Sequence, residues 1–205
     1  MQDRNRPVAD IWNPACYPEL GSGRGDHMSP EDFKRLWEVD GDFLCPLSAD
    51  ELSAVVIPAD AREFLNQAGL PQDTAPFLSF DAISRGQQSD PMRSAMARSD
   101  ILVIGANGSG DPVVVLRDGT LASLNHDAAF AETYINKDIN TFAETALKMR
   151  HLIAETQRLN GPDAYLDGNI PAQLCLELRS FLDRTDPASL EPGALWADEI
   201  ASWKP

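Results

Sequence analysis

The stretch ILVIGANGSGDPVVVLRDGT, residues 101–120, decides how the chain is read, because its glycine-rich centre fits two incompatible structures. A strand, a glycine turn and then a helix would cradle a nucleotide phosphate, since the free N–H groups and dipole of a helix N-terminus hold an anion. A strand, a turn and a second strand only reverse the chain. The residues after the turn discriminate: Asp111-Pro112 leads into Val113-Val114-Val115-Leu116, a β-branched run that favours a strand. Gly105, Gly108 and Gly110 also miss the GxGxxG spacing, no GK[ST] follows, and Asp111 sets a carboxylate where a phosphate needs donors. Pro112 suits the first position of a strand, where no ladder donor is required, so the segment reads as a hairpin.

Downstream of the hairpin, Asp118-Gly119 marks a tight turn into a third strand, LASLN at 121–125, and AETYIN at 131–136 supplies a fourth. The run is an antiparallel meander. Asp138 then stands as N-cap of a helix in which Ile139, Phe142, Ala146, Met149 and Ile153 recur at three- and four-residue steps, ending near Asn160-Gly161. Leu174, Leu178, Phe181 and Leu182 mark another amphipathic helix. Leu195, Trp196, Ile200 and Trp203 mark a terminal one, with both tryptophans expected to dock on the core.

Upstream, Ser29 is an N-cap with Pro30 at the first helical position and Glu31 and Asp32 against the positive end of the dipole; Phe33, Leu36 and Trp37 form that helix's apolar face. Ser48 and Glu51 have the spacing of a capping box. Ala61, Phe64, Leu65 and Ala68 lie on one face of a helix that Gly69 ends by a left-handed C-cap and that Pro71 cannot continue. PFLSF at 76–80 reads as a short strand and SRGQQSDPMRS at 84–94 as a weakly ordered link. The fold class that follows is α+β, a central, mainly antiparallel β-sheet flanked by α-helices. Residues 1–28 read as an irregular N-terminal arm, and residues 29–205 as a single domain with a C-terminal helical extension.

The chain of 205 residues carries 32 Asp and Glu against 17 Lys and Arg, a net charge of −15 that repels nucleic acid and anionic membranes and either attracts a basic partner or merely aids solubility. No apolar run approaches the roughly 18 to 20 residues that span a bilayer, and no secretory signal is evident, so the expected compartment is the cytoplasm. Cys16, Cys45 and Cys175 lack CxxC spacing, which argues against a disulfide framework and a thiolate zinc site. His126-Asp127 could pair a base with its orienter, but neighbours on a strand point to opposite faces. His27 and His151 show no HExxH or HxH spacing, and Ser109 lies outside any GxSxG elbow. Neither catalytic residues, nor a metal, nor a cofactor is expected.

REFLNQAGLP at 62–71, LVIGANGSGDPVVVLRDGTLASLNH at 102–126 and YINKDINTFAETAL at 134–147 together resemble the SUKH superfamily, specifically its fourth immunity-protein subgroup. The resemblance is carried by Gly69, Leu70, Pro71, Ile104, Gly105, Gly110, Asp111, Pro112, Gly119, Asn136 and Phe142, with Asp138 where the family usually has a Ser cap, a physically equivalent choice. It implies the sheet-and-helix fold named above, lacking catalytic residues. It further implies a cytoplasmic immunity protein that neutralises a polymorphic bacterial toxin, many such toxins being nucleases, or else a regulatory scaffold, the role of fungal relatives. The negative charge suits a basic, nuclease-type toxin domain. Two acid-bearing segments are the candidate partner-binding residues: Glu31, Asp32, Glu38, Asp40 and Asp42, and the loop residues Asn107, Ser109 and Asp111. A scaffold for an endogenous protein, and a small-molecule enzyme or sensor, stay open as alternatives.

Overall fold

The glycine-rich segment does turn between two strands. The computed structural model describes residues 28–38, 41–53, 55–86 and 101–204. Its elements run α1 (Pro30–Trp37), β1 (Leu44–Cys45), α2 (Ala49–Ser53), α3 (Ala59–Gln67), β2 (Leu70–Pro71), β3 (Asp73–Thr74), β4 (Leu78–Ser79) and α4 (Ala82–Gly86). Then follow β5 (Ile101–Asn107), β6 (Pro112–Leu116), β7 (Leu121–Asn125), β8 (Ala131–Asn136), α5 (Ile139–Asn160), α6 (Ala172–Thr185) and α7 (Leu195–Ser202), with 3-10 turns at His126–Ala128 and Pro187–Leu190. Strands β3 to β8 form one six-stranded sheet in sequence order, every neighbour antiparallel, and β1 pairs with β2 apart from it. The fold is α+β.

Period-two alternation sorts the sheet residues between two apolar layers. Leu102, Ile104, Val113, Val115, Leu121 and Ile135 face the main core, while Ile101, Val114, Ala122 and Leu124 form a second cluster that Val103, Leu116 and Phe130 border. Burial on both faces explains why β6 reads as an unbroken apolar run, the pattern of a strand with no wet side. On the main-core side lie the helices. Phe142 of α5 meets Phe80 edge-on at 5.5 Å, and Phe33 of α1 packs between Trp37 and Phe64 at 5.7 and 5.5 Å. Full burial of an aromatic of this size contributes about 1.5–3 kcal/mol, and these rings join α1, α3, α5 and the sheet into one core.

The helix starts form as their sequences require. Ser29 Oγ accepts the Asp32 N–H at 3.1 Å, Asp138 Oδ1 accepts the Thr141 N–H at 2.7 Å, and Ser48 and Glu51 exchange reciprocal bonds at 2.8 and 3.3 Å. Gly69 has φ +72°, and a Cβ there would stand 2.3 Å from the Cys45 carbonyl carbon, so glycine both ends α3 and lets β1 lie against β2. Gly105 is needed for a different reason: a Cβ would come within 2.2 Å of the Ser79 carbonyl oxygen, where β4 crosses a register shift in β5.

A buried polar junction fastens the C-terminal helices to β8. Asp186 is 2% exposed and its carboxylate accepts from Tyr134 Oη at 2.8 Å, Asn136 Nδ2 at 3.0 Å and the Lys137 N–H at 3.0 Å. Asn136 is fully buried and its Oδ1 accepts the Trp196 indole N–H at 2.9 Å. Burial, followed by the hydrogen bond to Asp186 and its charge, raises the Tyr134 hydroxyl above its ordinary value. Trp196 and Trp203 are both buried against the core, the docking role expected of them.

Three local expectations need adjustment. The strand expected over 76–80 narrows to Leu78–Ser79, because Pro76 and Phe77 belong to the turn before it. Within the expected 84–94 link, residues 84–86 are helical, as part of α4, whose start Asp81 caps by accepting the Ser84 N–H at 2.6 Å; the remainder lies outside the described residues. His126-Asp127 is not on a strand: Asn125 Oδ1 accepts the N–H groups of Asp127 and Ala128 and winds them into a 3-10 turn. The expected arm falls outside the described residues except for Met28, which is buried in the main core.

Candidate functional site

The strand order places three chain reversals at one end of the sheet. Leu78 faces Asn107, Ala106 faces Pro112, and Asn125 faces Ala131, so the β3–β4 turn, the β5–β6 loop and the β7–β8 connection form a continuous rim. At about 4.8 Å per strand, the rim from β4 to β8 extends about 19 Å. All three non-glycine residues with positive φ among the described residues stand on it: Phe77 at 57°, Ala129 at 53° and Phe130 at 58°. Such conformations cost on the order of 1–3 kcal/mol each and persist where surrounding structure enforces them, often at functional surfaces.

Side-chain bonds from short polar residues shape the loops of this rim. Asn107 Oδ1 accepts the N–H groups of Ser109 and Asp111, both at 2.9 Å, closing the β5–β6 loop on itself. Asp111, although in a loop, is buried, and its carboxylate accepts from Asn107 Nδ2 at 3.0 Å and from the His126 N–H at 3.0 Å. The same oxygen lies 2.6 Å from His126 Nδ1. Burial alone would raise the Asp111 carboxyl, but the His126 N–H, the Asn107 amide and the His126 ring outweigh it and hold it below the ordinary 3.8. Asp111 therefore clasps the β5–β6 loop to the β7–β8 connection.

Of the three loop residues expected to meet a partner, only Ser109 is exposed; Asn107 is half-buried and Asp111 is spent on the clasp. The rim nevertheless presents other groups. Phe77 is 71% exposed, beside Gly108, where a Cβ would stand 3.0 Å from the phenylalanine Cβ. The Asp127 side chain is 87% exposed. Residues 75–77, 107–111 and 125–132 contain no Lys or Arg and include Asp111, Asp127 and Glu132, so the rim is acidic.

The first acidic set is arranged differently. Glu31 and Glu38 are exposed at the two ends of α1. Asp32 bonds Arg35 at 3.0 Å and the Ser29 hydroxyl at 2.8 Å, which hold its carboxyl below the usual 3.8. Asp42 pairs with Arg150 at 2.9 Å, and that guanidinium also bonds the Trp37 carbonyl at 2.6 Å and lies 5.0 Å over the Trp37 ring. Two of these carboxylates are thus matched by arginines that belong to the structure of α1 and α5. Asp40 lies outside the described residues.

Sequence reasoning did not single out Phe77, and weighed His126 and Asp127 only as a base and its orienter, not as part of a partner-binding surface. For Phe77 there was no local signal, because it stands in the turn before β4 with positive φ, where strand alternation does not apply. For His126 there was none within the local sequence, because its partner Asp111 is 15 residues away. No group of three His, Cys, Asp or Glu side chains placed to hold a metal occurs among the described residues, and none of their helices is long and apolar enough to cross a membrane.

Comparison with known proteins gives one match and two blanks. No curated protein and no solved structure matches the chain. The family model of the SUKH-4 immunity protein matches residues 31–202, a stretch that takes in α1 to α7 and so extends well beyond the 62–147 segment that carries the sequence resemblance. With the meander, its glycine hairpin and the helices on its core face all inside the matched residues, the chain belongs to the SUKH-4 immunity protein family.

Proposed function

We propose that the chain is a non-catalytic immunity protein that binds a cognate toxin domain in the cytoplasm and neutralises it by covering its active cleft. Family membership over residues 31–202 carries this reading. The net charge of −15 favours a basic toxin, of which a nuclease domain is the leading kind, because its substrate channel must attract phosphates. Complementary charge raises the association rate, toward about 10⁸ M⁻¹s⁻¹ at low salt, and a small apolar centre then holds the complex. Exposed ion pairs of about 0.2–1 kcal/mol each are too weak to do so alone. Residues 29–205 act as one domain in this reading, the C-terminal helices being anchored through Asp186 and Trp196.

The test is titration calorimetry of the purified chain against the toxin domain encoded beside its gene, at low and high salt. Tight binding that weakens as salt rises is expected. Absence of heat under both conditions, with both proteins folded, rejects the reading for that pair and moves the case to a scaffold for an endogenous partner.

A further inference from the structure

Two acid-bearing surfaces could meet a basic partner, and the structure separates them. Around α1, Asp32 and Asp42 are paired with Arg35 and Arg150, while Lys34 and Arg35 lie in the helix's last turn. A basic protein approaching there meets exposed Glu31 and Glu38, but also two carboxylates already matched and positive charges of the same sign as its own. Along the rim, residues 75–77, 107–111 and 125–132 contain no Lys or Arg.

Resting on the immunity reading, we propose that the rim is the face that docks the toxin, with Phe77 as its apolar anchor and Asp127 as its leading charge, and that the occupant is a basic protein surface with an apolar recess. Phe77 has the properties of an interface hot spot in waiting. Phe77 is 71% exposed, although Leu78 and Phe80 are buried, and its backbone takes φ 57° in the turn before β4. An aromatic anchor contributes most when little freedom is lost on binding. Here the neighbouring loops are tied by the Asn107 bonds to Ser109 and Asp111, by the Asp111–His126 clasp and by the Asn125 cap of the 3-10 turn. The rim is pre-shaped.

The division of labour follows from position. Asp127, its side chain 87% exposed and its carboxylate 3.5 Å from His126 Nε2, acts at long range on the encounter. Phe77, packed closely against Gly108, offers a contact small enough to be desolvated fully. Asp111 contributes to shape and not to contact, because its carboxylate is buried.

Calorimetry and stopped-flow association of the full chain with the toxin domain encoded beside its gene test this. Phe77→Ala should weaken binding by about 30-fold or more, mainly through dissociation. Phe77→Gly, which accepts positive φ, should weaken it equally. Asp127→Lys should slow association about 10-fold at low salt, and the loss should shrink at high salt. Glu31→Lys with Glu38→Lys should change binding less than threefold. Thermal melting of each variant establishes that it is folded. If the wild-type chain binds while the rim variants bind as it does, or the α1 variant is the weaker binder, the rim assignment is wrong and the immunity reading survives. If the wild-type chain itself fails to bind, the immunity reading is rejected for that pair and the rim assignment with it.

Discussion

Replacing Asn136 by alanine removes two hydrogen bonds from a site closed to water. The Asn136 amide donates to the Asp186 carboxylate at 3.0 Å and its oxygen accepts the Trp196 indole N–H at 2.9 Å, with Asn136 fully buried. A bond to a charged group is worth about 1.5–3 kcal/mol, and a buried indole N–H left without an acceptor costs about 1–3 kcal/mol. The expected loss is therefore about 3–5 kcal/mol, a large share of the ~5–15 kcal/mol that holds a domain together. It corresponds to a fall in Tm of about 10 °C. Urea unfolding followed by tryptophan fluorescence measures it. Trp196→Phe, which keeps most of the ring but lacks the N–H, should cost about 1–3 kcal/mol, and the double variant should be more stable than the sum predicts by about 1–2 kcal/mol. A loss under about 1 kcal/mol for Asn136→Ala, or additivity within about 0.5 kcal/mol, would refute the coupling of β8 to α7 through this pair.

Three further outcomes are expected. Gly69→Ala, which must keep φ +72° and set a Cβ 2.3 Å from the Cys45 carbonyl carbon, should cost more than about 3 kcal/mol in chemical denaturation, whereas Gly161→Ala, with nothing within 4 Å, should cost about 1–2 kcal/mol. Equal losses for the two would show that the close approach of β1 is not what demands glycine. The folded-state carboxyl of Asp111 is lowered, so its stabilisation is complete above the ordinary 3.8 and disappears as pH falls through the lower folded value. Asp111→Asn should cost about 1–2 kcal/mol at pH 7 and flatten the acid limb of a stability–pH curve; an unchanged acid limb would count against the His126 clasp. Gly105→Ala should disturb the β4–β5 pairing, seen as loss of amide-exchange protection at Ser79 and Ala106, which pair across the two strands, because a Cβ would lie 2.2 Å from the Ser79 oxygen; retained protection would contradict that reading.

How far the sequence could be read depended on how far apart the cooperating residues are. The caps at Ser29, Ser48 and Asp138 each involve residues three apart and all form. Strands β6, β7 and β8 coincide with the runs PVVVL, LASLN and AETYIN, since β-branched content and turn residues mark their ends locally. The candidate site was legible only in part. Asn107 and Ser109 are on the rim, but Asp111 and Asp42 are engaged by His126 and Arg150, partners 15 residues away and on another element respectively. A carboxylate's availability depends on such partners, and no local pattern announces them. The helical turn at His126 escaped for a related reason: Asn125 caps it with its own side chain, a competition with the strand that composition does not resolve.

By itself the sequence determined the hairpin at Gly105–Pro112, the meander, the long helix and the acidity of the chain, because periodicity, turn chemistry and charge are written within a few neighbouring residues. Only the tertiary structure decided that three chain reversals share one end of the sheet, that Phe77 faces outward there, and which carboxylates stay exposed. Those facts arise from strand register and from pairings between distant segments, which form only when the chain has folded.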